Sequence, residues 1–254
     1  MQVLFEMSLS IDLKGRIALV TGGGTGLGRA GTDALVAAGA SVIIAGRRQD
    51  VLERAAAEAG AQAMTCDVSD PKEASALVDR IVAEHGKLDI LVNAAGLNIR
   101  GDSFEYGPDD WDRVHAINAR GLFFMSQAAG RAMRANGYGK IVNIASMASE
   151  IGMPFIVAYG SSKGGVKQIT KGLAVEWAKA GIRVNAIEPG WFRTELTEPL
   201  FHNKEWLAKV ENRVPMGRAG KPEEVGGAIA FLASPLSDYI TGAVIKVDGG
   251  ALAA

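Results

Sequence analysis

Seven short apolar runs recur at steady intervals along the chain: Ile17–Val20, Val42–Ala45, Ala63–Cys66, Ile90–Val92, Ile141–Ile144, Val184–Ile187 and Ala243–Val247. Each is too short for a helix, mostly β-branched, and continuous rather than alternating, which is the pattern of a strand buried on both faces. Between them lie stretches with helical spacing: Leu27–Ala38, Val51–Ala59, Lys72–Glu84, Trp111–Arg134, Tyr159–Ala180 and Glu223–Leu232. Asp50 and Asp70 stand where caps belong, and Pro71 and Pro222 suit first helical turns. Strand and helix in alternation, joined by right-handed crossovers, predict an α/β fold: a doubly wound parallel sheet of about seven strands with helices on both faces, a Rossmann fold.

No Pro/Ser/Gly-rich linker interrupts the rhythm, so residues 12–254 read as one domain and residues 1–11 as a flexible leader. One segment breaks the alternation. From about residue 191 to 214 no strand pattern appears, and scattered apolar residues at helical spacing accompany Trp191, Phe192, Phe201 and Trp206. An insertion after a strand's carboxyl end sits where ligands bind in such sheets, so a small helical lid over a substrate is expected. A packed pair of surface helices would read the same way.

Charge and cysteine content narrow the function classes. With 27 basic and 28 acidic residues the formal net charge is -1, which supplies no basic field for nucleic acid or an anionic membrane surface. The single cysteine, Cys66, cannot form an intrachain disulfide, and the three histidines, His85, His115 and His202, are scattered, so no metal site is expected. A reducing cytoplasmic setting fits, and residues 1–10 offer neither a signal peptide nor a membrane span. Glycine is abundant at 32 residues without a Gly-X-Y period, as in a chain with many tight turns or close backbone approaches.

The first strand runs into Thr21-Gly22-Gly23-Gly24-Thr25-Gly26-Leu27-Gly28, after which helical spacing begins at once. Glycines there permit a tight turn and close approach to a pyrophosphate, and the helix N-terminus adds free N–H groups and the positive dipole end. Farther on, Tyr159 and Lys163 lie four apart on one helix face. A neighbouring ammonium favours phenolate and lowers a tyrosine pKa from about 10 toward a useful acid/base range. An exposed tyrosine beside a solvated lysine would show the same spacing.

Taken in order, these landmarks resemble the short-chain dehydrogenase/reductase family: TGxxxGxG at Gly22, Gly26 and Gly28, then Asn93-Ala94-Ala95-Gly96, Asn118, Ser146, Tyr159 with Lys163 as YxxxK, and Pro189-Gly190. The resemblance runs over roughly residues 12–250. It implies a nicotinamide-dependent oxidoreductase that interconverts a secondary alcohol and a ketone. Tyr159 is then the general acid/base, Ser146 the partner of the substrate carbonyl, Lys163 the ligand of the nicotinamide ribose and Asn118 the holder of a relay water. It also implies that Thr25, Leu27, Asp67, Val68, Asn93, Ala94, Ala95, Gly96, Pro189, Gly190, Trp191 and Thr194 line the dinucleotide site, and that Val247-Asp248-Gly249-Gly250 lies at a contact of a homotetramer.

Cofactor choice rests on the end of the second strand, Ala45-Gly46-Arg47-Arg48. An acid there would bind a ribose 2′-hydroxyl, whereas arginine suits a 2′-phosphate; Gly46 stands in the acid's place, so NADP(H) is expected over NAD(H), with Arg47 and Arg48 as its ligands. Phe123–Gln127, Asn143–Met147, Glu150–Gly152 and Trp191–Glu195 look most like the gluconate 5-dehydrogenase and 2-deoxygluconate dehydrogenase branch. That implies a sugar acid or polyol substrate, with Arg100 clamping a carboxylate, Glu150 or His202 reading hydroxyls, and Trp191 in the pocket. A 3-oxoacyl-carrier-protein reductase, a broad ketone reductase and a non-catalytic dinucleotide sensor are the alternatives.

Overall fold

The computed structural model describes residues 10–195 and 197–254. The expected leader therefore lies outside the described residues up to position 9, as does Leu196 of the expected lid; Ile11, counted with the leader, is half-buried against the core.

The strands are β1 (Ile17–Thr21), β2 (Ser41–Gly46), β3 (Gln62–Thr65), β4 (Ile90–Asn93), β5 (Gly139–Ile144), β6 (Ile182–Pro189) and β7 (Val244–Val247). They form one sheet in the order β3-β2-β1-β4-β5-β6-β7, and every neighbouring pair is parallel. The continuous apolar runs arise because alternate side chains of each strand enter different cores. Leu19, Ile43, Leu91, Ile141 and Val184 point to one core, while Val20, Ile44, Val92, Val142 and Ile187 point to the other.

Helices α1 (Gly26–Ala37), α2 (Gln49–Ala59) and α3 (Pro71–His85) follow the first three strands. After β4 come α4 (Pro108–His115) and α5 (Leu122–Asn136), and after β5 the long α6 (Val157–Trp177). Then α7 (Glu198–Phe201) and α8 (Lys204–Arg213) precede α9 (Pro222–Ala233). Leu77, Ile81, Met125, Met133 and Leu173 bring α3, α5 and α6 to the first core; Leu35, Leu52, Val225 and Ile229 bring α1, α2 and α9 to the second. Pro71 and Pro222 open their helices, and Asp70 caps α3 by accepting from the Lys72 N–H at 2.7 Å.

Two local expectations need correction. Asp50 is not a cap: Arg48 holds the N-cap of α2, and Asp50 sits in the first turn, where its charge still favours the helix dipole. The run Trp111–Arg134 is not one regular helix, because Ala116–Gly121 between α4 and α5 is wound as a π-helix. Gly121 requires the space, since a Cβ there would stand 2.5 Å from the Val68 carbonyl oxygen. The strand order reverses between β1 and β4, and the carboxyl ends on either side of that point open a crevice.

Candidate active site

A cavity of about 600 Å³ occupies this crevice. At one side the β1–α1 turn is held open by glycine. Gly22 has φ 69°, which a side chain would strain, and a Cβ on Gly28 would stand 2.2 Å from the Gly22 carbonyl oxygen. Thr25, at the N-cap of α1, makes no side-chain cap bond, and the first turn carries no acid, so the helix presents unpaired N–H groups and an uncompensated positive end to the cavity. Those are the requirements of a pyrophosphate cradle. Thr25, Gly26 and Leu27 line it, with Thr194 packed 3.4 Å from where a Gly26 Cβ would be.

The adenosine end of such a ligand would meet Asp67 and Val68 after β3, and Arg47 and Arg48 after β2, all on the cavity wall. Burial pushes the Asp67 carboxyl up, but the Ser69 hydroxyl and N–H, at 2.7 and 2.9 Å, and the charge of Arg47 hold it below the ordinary carboxylate range. Gly46 leaves the end of β2 itself without an acid. Arg48, expected as a phosphate ligand, is instead engaged by Glu195 in a bidentate pair at 3.0 and 3.2 Å.

At the opposite side Ala94, Ala95, Gly96, Ser146, Tyr159, Lys163, Pro189 and Gly190 share the same cavity. Tyr159 and Lys163 lie on α6, with the Lys163 Nζ 5.8 Å from the Tyr159 ring centroid. Lys163 is 4% exposed, and its Nζ donates to the Ile144 carbonyl at 2.6 Å; burial draws its pKa down to about 8. The expected lowering of the Tyr159 pKa is not what this arrangement produces. Burial raises the phenol above its ordinary value, and the neighbouring Ser146 hydroxyl draws it part of the way back, so near neutrality Tyr159 is a proton donor.

Asn118 is buried in the π-helical turn and brackets the Leu97 peptide: its Oδ1 accepts from the Leu97 N–H at 2.7 Å, and its Nδ2 donates to the Leu97 carbonyl at 2.8 Å. This fixes the β4–α4 loop beside Gly96, where a Cβ would stand 3.5 Å from the Asn118 Oδ1 and 3.7 Å from the Lys163 Nζ. The π-turn thus puts Asn118 next to the Tyr159–Lys163 helix without lining the open cavity.

Several expected residues lie elsewhere. Asn93 is buried and tied to Ser126 and Asn143, each at 2.9 Å, so it joins β4 to β5 rather than facing the cavity. Trp191 turns to a small cluster with Met147, Val210 and Val214, and its neighbour Phe192, bridged to Gly220, takes the cavity wall. Glu150 pairs with Lys167, and His202 stands 3.5 Å from Glu198 beyond the cavity. Arg100 is exposed on a loop whose Gly101 N–H bonds the Phe155 carbonyl at 3.0 Å. Conversely, Val51, Leu52, Leu97, Ile117 and Thr197 line the cavity and carry no motif; their places in the connections that follow strand carboxyl ends could have marked all but Ile117, which reaches the cavity from the π-helical turn.

A glycine-cradled dinucleotide crevice with a tyrosine, a lysine and a serine at its far end defines an oxidoreductase of the Rossmann class. Comparison with known proteins makes the class specific. The family profile described as enoyl-(acyl carrier protein) reductase matches residues 22–251. The chain is 42% identical over 248 residues to the 2-dehydro-3-deoxy-D-gluconate 5-dehydrogenase of Escherichia coli (strain K12), covering 96% of this chain and 98% of that one. It is 39% identical to the gluconate 5-dehydrogenase of Gluconobacter oxydans (strain 621H), covering 94% and 95%. A solved gluconate 5-dehydrogenase from Burkholderia cenocepacia J2315, in complex with NADP and tartrate, superposes with a TM-score of 0.92 at 38% identity, covering 96% of this chain and 98% of that one. The chain belongs to the short-chain dehydrogenase/reductase family and is an oxidoreductase acting on CH–OH groups.

Proposed function

We propose that this enzyme interconverts a secondary alcohol and a ketone on a sugar acid or polyol, with NADP(H) preferred over NAD(H). The observation that carries the reading is that Ser146, Tyr159 and Lys163 share one cavity with the glycine cradle at Gly22–Gly28. When bound, the nicotinamide group supplies or accepts the hydride. The protein manages the other charge. Ser146 Oγ accepts from the Ala148 N–H at 3.1 Å, which leaves its own proton to donate to a substrate oxygen. Tyr159 gives its proton to that oxygen as the carbonyl becomes an alcohol, and takes it back in the reverse direction. The Lys163 ammonium stabilises the phenolate that remains, and Asn118 holds the loop at Gly96 beside that ammonium.

Arg47 supports the preference for a 2′-phosphate, since it lines the cavity beside Gly46 where an acid would repel one. Support for a sugar acid comes from the similarity to gluconate and 2-dehydro-3-deoxy-D-gluconate 5-dehydrogenases and from the tartrate of the Burkholderia structure; Arg100 at the loop rim is the residue we assign to the carboxylate. Segment 191–214 acts as the lid, contributing Phe192, Thr194, Glu195 and Thr197 to the wall. No helix of the described residues is long and apolar enough to cross a membrane, and with a single buried cysteine this fits a cytoplasmic enzyme. Exposed apolar residues such as Trp111, Val157 and Val175 on α4 and α6 support a homotetramer, which light scattering of the purified protein tests.

The direct test follows nicotinamide absorbance with gluconate, ketogluconates and polyols and with both coenzymes. In Tyr159→Phe turnover should fall about 10²–10⁴-fold while dinucleotide binding persists. Full activity of that variant, or a strong preference for NADH, contradicts the reading.

A further inference from the structure

Glu188 lies on β6, just before the Pro189-Gly190 turn on the cavity wall, and its side chain is 0% exposed. A buried carboxylate is costly unless its oxygens are satisfied. Here one oxygen is and one is not. Oε1 accepts from the Ser149 hydroxyl at 2.5 Å and lies 3.3 Å from the Lys167 Nζ, whereas Oε2 is buried without a hydrogen-bond partner. Lys167 is shared, because it also pairs with Glu150. An acid held this way is a poor source of stability, and a neutral side chain of the same size would serve packing as well.

What Oε1 holds is the turn that carries Ser146. Residues Met147–Ser149 form a single 3₁₀ turn with Ser146 at its N-cap. The Ser149 N–H bonds the Ser146 carbonyl at 2.9 Å, and the Ser149 hydroxyl also contacts that carbonyl. One hydroxyl proton thus faces two acceptors, the Ser146 carbonyl and Glu188, and the Ser149 side chain is fixed between them. The Ala148 N–H within the same turn donates to Ser146 Oγ. Lys167, eight residues beyond Tyr159 on α6, ties the helix carrying Tyr159 to the same carboxylate. Strand β6, the Ser146 turn and the Tyr159 helix therefore meet at Glu188.

We propose that Glu188, acting through Ser149, is a positioning residue that sets the Ser146 hydroxyl toward the reacting oxygen. The inference rests on the role of Ser146 under the proposed function. Its test is a double-mutant cycle measured on ketone reduction, with dinucleotide Kd and thermal unfolding as controls. Glu188→Gln keeps size and an acceptor but removes the charge, and should lower kcat about tenfold with KM and dinucleotide Kd little changed. Ser149→Ala should do the same. In the Ser146→Ala background both substitutions should cost less than about twofold, because the hydroxyl they orient is gone. Equal losses in both backgrounds, or a Glu188→Gln enzyme of full kcat, overturn the proposal while leaving the role of Ser146 intact. Full activity of Ser146→Ala alone overturns the reading beneath it and this inference together. If Glu188→Gln fails to fold, the Ser149→Ala cycle decides by the same criterion.

Discussion

The molecule buries two lysines at opposite ends of its sheet. Lys140, the second residue of β5, lies at the amino end of the strands and is 1% exposed; its Nζ reaches Asp238 at 2.8 Å and the Ser237 hydroxyl at 3.0 Å. Lys163 sits at the carboxyl end, and its Nζ bonds the neutral Ile144 carbonyl. Burial lowers both pKa values, but for Lys140 the Asp238 carboxylate pulls back, while for Lys163 nothing does. A buried ammonium supplied with its own counter-ion is a tie between elements. One left with a carbonyl alone, on the wall of a cavity, is held at a cost to stability for a partner that arrives from outside.

The largest effect that could break this contrast is on turnover. Lys163→Met should lower kcat by about 10²-fold or more while leaving unfolding stability unchanged or raised, since a desolvated charge has been removed. Asp238→Ala should do the reverse. It strands the Lys140 ammonium with the Ser237 hydroxyl and lowers stability by about 1–3 kcal/mol in denaturant unfolding, with kcat retained. If Lys163→Met is the destabilised variant and Asp238→Ala the inactive one, the assignment of the two lysines is inverted.

A third measurement separates them by pH. Lys163 has a folded pKa of about 8, below the ordinary 10.5, so between these values the unfolded chain binds more protons than the native one. Stability contributed by this group therefore rises with pH across that window, by up to about 1.4 kcal/mol per pH unit, and is flat below it. Lys140 adds in the same direction. Urea midpoints of the parent protein and of Lys163→Met, compared from pH 7 to 10, should converge as pH rises, because the penalty carried by the parent's ammonium fades. Parallel curves would show that Lys163 is not desolvated.

The same physics decides how much of the molecule its amino-acid sequence discloses. Strands buried on both faces print a continuous apolar run, so the five inner strands are legible, and the half-buried edges β3 and β7 keep enough of that run to be read; a glycine that must avoid a carbonyl 2.2 Å away leaves a mark no other residue type can. Tyr159, Lys163 and Ser146 stand out only through the ordered set of family landmarks, since a tyrosine and a lysine four apart read equally well as a solvated helix face; the structure brings all three to one cavity. What periodicity does not carry is partner choice. Asn118 depends on a π-turn that hydrophobic spacing cannot distinguish from continuous helix. Trp191 and Phe192 are adjacent aromatics, and only the entry angle of the chain after Pro189 decides which faces the cavity. Glu150 reads as a free hydroxyl reader until Lys167, from another element, is seen to claim it. Glu188 is silent in sequence, because its importance lies in what it touches.

The smallest effect tests whether the contrast between paired and unpaired cations survives at the surface. Arg47 and Arg48 are adjacent and both line the adenosine side of the cavity, but Arg48 is claimed by Glu195 from the segment after β6. That pair is more than half exposed, at 56% and 60% for the two side chains, so water and salt weaken it and its contribution is small. The Glu195 carboxylate nonetheless competes with any 2′-phosphate for Arg48, and it adds a negative charge to the same wall. Glu195→Gln should therefore tighten NADP⁺ binding by about two- to fivefold at low ionic strength, and leave NAD⁺ binding unchanged. At high salt the gain should disappear, unlike the effects at Lys140 and Lys163, which the protein interior shields from screening. Isothermal titration of both coenzymes at two salt concentrations measures the difference. Equal tightening for NAD⁺ would mean that Glu195 governs entry to the crevice rather than the choice between the coenzymes.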